Sequence, residues 1–215
     1  MPDDPLDHRL LRDPLTPHMD TLRRAMASGE LYATDLVIVG MIQRSLDVVR
    51  GAKECFAVRN LTCAIPLLRL QLDNLMRLAY MATLDNADAF ALEIMRGKQL
   101  HELRDAEGKE LTGARLRDYA RPTHPWLDEL YAETSRLVHF SDRDVFHAVR
   151  KSRDKEGWIE VAVTVDPERW PLDFAHTVAD AFILVTETLL ETIEAWGEHK
   201  VELARKTGER TNPTQ

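Results

Sequence analysis

Cysteine is scarce in this chain, which carries only Cys55 and Cys63. With no CxxC spacing and no second pair, a disulfide framework and a thiolate zinc site are both excluded. Long apolar runs are missing too. The stretch Leu36 to Ile42 is among the longest and falls far short of the roughly 20 residues that cross a bilayer. The N-terminus is acidic and proline-bearing, with no basic flank leading into an apolar run, so no signal peptide is expected. Positive charge is in deficit: Lys and Arg total 28 against 36 Asp and Glu, for a net charge of −8. That balance excludes a global basic footprint for nucleic acid, which a local patch alone would have to supply. Also absent are a glycine-rich phosphate loop, a GxSxG elbow, an HExxH zinc helix and the Glu-x-x-His pairs of di-iron bundles. No metal and no cofactor is therefore expected.

What remains is the composition of a folded domain, 44% hydrophobic and 30% charged, and not that of a disordered chain. Arginine outnumbers lysine 21 to 7 and alanine is plentiful, a bias pointing to a GC-rich bacterial genome. The expectation is a soluble cytoplasmic protein with no membrane association.

Residues 1–15 read as an extended arm with three prolines. Thr16 and Pro17 form a cap-and-first-turn pair, opening a helix that runs to about Ser28. Apolar residues at helical spacing predict helices over about 31–57, 60–84 and 85–96. Residues 98–124 look mostly loop-like, with Thr112 capping a brief helix. His124-Pro125 opens another, from Trp126 to about Phe140. The period then changes to two over 145–150 and 158–165, which predicts an inserted β-hairpin. Pro171 starts a last helix to about Lys206, with apolar positions Phe174, Val178, Phe182, Val185, Leu189 and Ile193 forming a stripe for core packing or a homodimer seam. Residues 207–215 read as a flexible tail. The predicted fold is mainly α, a single domain over 16–206: a helical bundle of five to six main helices with one β-hairpin at about 145–165.

The helix expected at 60–84 is apolar around most of its circumference, yet carries Arg69, Asp73 and Arg77. Residues at i, i+4 and i+8 climb one face with a drift of about 40° per step. Charges on a mostly buried helix need partners. On the helix expected at 126–140, Tyr131, Ser135 and His139 share the same spacing. If the two helices face each other, these six residues form a polar site. Its arginine–aspartate–arginine set leaves one net positive charge, open to a carboxylate or phosphate. His139 beside two arginines would stay neutral and could relay a proton. The alternative is an internal network that fixes helix register.

The run Arg69-x-Gln71-Leu72-Asp73-x3-Arg77-x2-Tyr80, with Tyr131-x2-Thr134-Ser135-x3-His139-Phe140-Ser141 some fifty residues on, resembles a group of uncharacterised bacterial helical proteins. These are similar in architecture to the HEPN superfamily and abortive-infection proteins, and the resemblance spans roughly residues 60–145. It implies a metal-independent ribonuclease of a toxin or phage-defence system, built around an Arg-x(4–6)-His motif and often completed across a dimer. Four pairs have that spacing: Arg12/His18, Arg96/His101, Arg117/His124 and Arg169/His176. The cluster Arg136, His139, Arg143 and His147 is spaced more tightly, and His139 with Arg136 are its catalytic candidates. Three readings follow from the sequence: a ligand-binding or interaction module taking a small anion, a HEPN-like ribonuclease, and an oligomeric scaffold with a structural polar core.

Overall fold

The computed structural model describes residues 13–27, 31–139, 145, 149–151, 156–161, 163 and 170–211. Seven α-helices dominate them: α1 (Leu15–Ala25), α2 (Ala33–Ala57), α3 (Leu61–Met81), α4 (Ala87–Met95), α5 (Gly113–Ala120), α6 (Leu127–Val138) and α7 (Leu172–Thr211). The chain is mainly helical, as its periodicity predicts. Several ends are fixed by side chains that accept the free N–H groups of a first turn. Asn60 accepts from Cys63 N at 3.3 Å, Asn86 from Ala89 N at 3.0 Å and Thr112 from Arg115 N at 3.2 Å.

At the start of α1 the expected Thr16 cap is corrected. Asp13 is the acceptor, taking Leu15 N at 3.0 Å and the Thr16 hydroxyl at 2.8 Å. The carboxylate is the stronger acceptor, and the helix opens at Leu15, two residues earlier than expected. Residues 1–12 of the expected arm lie outside the described residues.

The bundle is organised around α3, which packs against α2, α5, α6 and α7. A helix contacted on so many sides is apolar nearly all round. Leu61, Ala64, Leu72, Leu75 and Met76 are wholly buried. Its outward stripe is narrow and comprises Thr62, Cys63, Pro66, Arg69, Leu70, Asp73 and Arg77. Pro66 sits past the first turn and removes a bond to the carbonyl of Thr62, a residue on that exposed stripe.

The long α7 lies along α1, α2 and α3. Its stripe Val178, Phe182, Val185, Leu189 and Ile193 is buried inside the chain. The stripe is therefore core, and a second copy would have to use another face of α7. Phe56 of α2 meets Phe182 edge-on at 6.5 Å. Where α7 crosses α1, a Cβ on Gly197 would lie 2.6 Å from Ala25 Cα, so only glycine permits so close an approach.

Two three-residue strands, β1 (Val149–Lys151) and β2 (Ile159–Val161), pair antiparallel with Arg150 opposite Glu160. The remaining strand positions expected at 145–148 and 162–165, apart from Val145 and Val163, and the link 152–155 lie outside the described residues. No helix among the described residues is long and apolar enough to cross a membrane.

Candidate functional site

The ladder on α3 divides into two parts, and it lies on the helix's outward stripe, not in the core. Asp73 takes the Nε of Arg77 at 2.8 Å, and a second arginine, Arg44 of α2, stands 3.7 Å away. One carboxylate thus answers two guanidinium groups at a part-exposed edge, where such pairs contribute modestly. Arg69 has no share in it.

Arg69 instead reaches toward α6 and lays its guanidinium over the ring of Tyr131, 3.9 Å from the centroid. That is a close cation–π contact. The start of α5 makes room for it. A Cβ on Gly113 would come within 2.9 Å of the Tyr131 hydroxyl and 3.3 Å of Arg69 Nη2. Arg117 of α5 approaches the same ring at 5.4 Å, while its guanidinium lies 3.1 Å from both Asp118 and Asp128. Arg69 differs in its partners. Its Nη1, like Arg117 Nε, is buried without a hydrogen-bond acceptor, but among the described residues no carboxylate pairs with Arg69. Leaving such a donor unsatisfied costs about 1–3 kcal/mol, and more for a charged group. A guanidinium held over an aromatic face, with Nη1 lacking an acceptor, is suited to capture of a carboxylate or phosphate.

Of the six residues expected to meet across the two helices, the structure joins Arg69 to Tyr131 and Asp73 to Arg77. Ser135 is half-buried one turn beyond Tyr131, and His139 is exposed at the end of α6. No hydrogen bond or ion pair links either to the ladder among the described residues. The inner face of α6 is set by Leu127 and Thr134, with Tyr131 packed against the core beside them, so 135 and 139 drift progressively outward. Arg136 is exposed and pairs with Glu133 on its own helix. Arg96 likewise pairs with Glu93, while His124 packs 5.9 Å from Trp126 and burial pushes its pKa down. Arg12, Phe140, Ser141, Arg143, His147 and Arg169 lie outside the described residues.

The buried polar residues are others. His18 Nδ1 donates to the Pro14 carbonyl at 2.7 Å, which leaves Nε2 to accept the Ser45 hydroxyl at 2.9 Å. Gln71 of α3 donates to Ser45 at 2.6 Å and to Thr186 of α7 at 3.1 Å, and Asn74 donates to Gln71 at 3.3 Å. Burial lowers the His18 pKa, against the opposing effect of the Pro14 carbonyl, and keeps the ring neutral. The Ser45–His18 pairing has the geometry of an activated hydroxyl, but His18 is 1% and Ser45 0% exposed, so no substrate reaches it. A second buried set ties α2 to α7: Asp35 accepts from Lys200 Nζ at 2.9 Å and from Trp196 Nε1 at 3.0 Å. Each of these polar residues interrupts an apolar stripe in the sequence, and that was the available signal.

A third cluster closes the loop before α5. Burial works to raise the Asp105 pKa, but the N–H groups of Lys109 and Glu107 and the Arg115 guanidinium outweigh it and hold the carboxyl at about 2. Among the described residues no cluster of His, Cys, Asp and Glu is arranged to hold a metal ion.

Compared with known protein families, curated proteins and solved structures, the chain matches none.

Proposed function

We propose that this protein is a ligand-binding module in which Arg69, seated on Tyr131 and flanked by Arg117, receives the carboxylate or phosphate of a small anionic ligand. The observation that carries this reading is the buried Nη1 of Arg69, which has no acceptor while the neighbouring arginines of α3 and α5 all have carboxylates. An anion at that nitrogen would satisfy the donor and neutralise the local charge. Asp73 and Arg77 act beside the site as a self-compensated pair that keeps Asp73 from reaching Arg69. The same reading takes β1 and β2 as the arms of one hairpin and the protein as cytoplasmic.

Thermal unfolding with increasing phosphate, and separately succinate, tests it. A ligand at a hundredfold its Kd should raise Tm by about 5–10 °C in a chain of this size. The rise is expected in the parent protein and in Arg77→Gln, and absent in Arg69→Gln. Equal responses of parent and Arg69→Gln would remove the basis of the proposal.

A further inference from the structure

At the opposite face of α3 from the arginine stripe, a cavity of about 280 Å³ opens between the start of α2, the end of α3, the start of α4 and the α7 segment around Trp196. It is a cleft open on one side, with Ala82, Ala195 and His199 exposed at its edge, and a partly enclosed apolar hollow is the usual form of a small-molecule site. Its wall is mainly apolar: Ile38, Leu78, Met81 and Ala87 are buried apolar members, and the exposed Ala82 and Ala195 widen its edge.

The polar atoms around the cavity already have partners within the fold. Thr34 donates both its N–H and its hydroxyl to Asp88, each at 2.8 Å. The Thr192 hydroxyl donates to the Thr188 carbonyl at 2.7 Å, and Trp196 Nε1 is held by Asp35. The lining's remaining side-chain polar group is the imidazole of His199, which is exposed and lies 6.3 Å from the Trp196 ring. An occupant thus meets no charged partner inside and one hydrogen-bonding group at the mouth. Burying an ion there would go uncompensated.

We infer that this cavity binds a small uncharged apolar molecule of about nine methylene-sized groups, with its one polar atom directed to His199. The size follows from a liquid volume of about 30 Å³ per water-sized group. The Asp35–Lys200–Trp196 contacts fix the α7 wall before the ligand arrives, so the site is pre-formed, as small-molecule sites commonly are. It shares no residue with the Arg69 site and stands or falls separately.

Indole, neutral and of this size, is the probe, observed by saturation-transfer NMR, with octanoate as a charged control. The parent protein should transfer magnetisation to indole and far less to octanoate. Ala195→Phe, which fills the hollow from α7, should abolish the transfer while keeping the parent's circular dichroism and melting temperature. His199→Ala should weaken indole binding about fivefold through loss of one hydrogen bond. No transfer in the parent, or equal transfer in a folded Ala195→Phe, would overturn the inference. So would a parent dimer that Ala195→Phe converts to monomer, since the cavity would then belong to a second chain.

Discussion

Arg69 and Lys200 show two ways this chain handles a cation away from bulk water. Lys200 is 1% exposed and donates to Asp35 at 2.9 Å, a carboxylate that also takes the Trp196 and Tyr32 N–H groups. Removing one member of such a pair strands the other, so Lys200→Met should destabilise the protein by about 3–5 kcal/mol in urea unfolding. Arg69 is answered by a ring face alone. In anion-free buffer Arg69→Met, which keeps the packing on Tyr131 and removes the unsatisfied Nη1, should change stability by no more than about 1 kcal/mol. A loss comparable to that of Lys200→Met would make Arg69 a structural clamp. The two cations are thus treated differently, and on the proposed reading that difference is what leaves Arg69 to an anion.

At the level of elements, two glycines mark where helices approach most closely. Gly197→Ala would push a Cβ into the Ala25 backbone; backbone cannot rotate aside, and the α1–α7 crossing should lose about 1–3 kcal/mol, read as a lower urea midpoint. Gly113→Ala meets the mobile end of Tyr131 instead. The chain should fold normally but shift the ring under Arg69, weakening the phosphate response in thermal unfolding. The helices themselves were legible from the 3.6-residue period, and the cap at Thr112 from residue type. Which polar stripe of α3 faces inward was not legible. Gln71 and Asn74 interrupt its apolar surface as Arg69 and Asp73 do, and only the positions of α2 and α7 decide that the first pair is buried. The same holds for α6: Tyr131 lies within reach of α3, while His139, two turns on, has rotated out to solvent. The Asp105–Arg115 pairing is not legible in the sequence because it depends on a loop closing, and loop closure leaves no period.

Across the molecule, the titrating groups predict how stability depends on pH. His18 is neutral when folded, with its pKa below the ordinary 6.5. As pH falls below about 6.5 the unfolded chain takes up a proton that the folded chain refuses, and stability declines by at most about 1.4 kcal/mol per pH unit until the folded pKa is reached. Asp105 acts lower on the scale. Its contribution is present above its ordinary 3.8 and is lost as pH falls to about 2. Urea midpoints measured from pH 7 to about pH 2 should therefore fall in two stages, and His18→Gln should flatten the first. Neither group touches the Arg69 site, so the binding of anions should persist wherever the bundle is folded and the ligand is ionised.

The central claim, that Arg69 is held open for an anion, is tested most directly by a crystal of the protein soaked in selenate, whose selenium is located by its anomalous signal. The account predicts a peak within hydrogen-bonding distance of Arg69 Nη1, beside the Tyr131 ring. Selenate found only at other arginines, with Arg69 Nη1 bare or bonded to a side chain of its own protein, would contradict it.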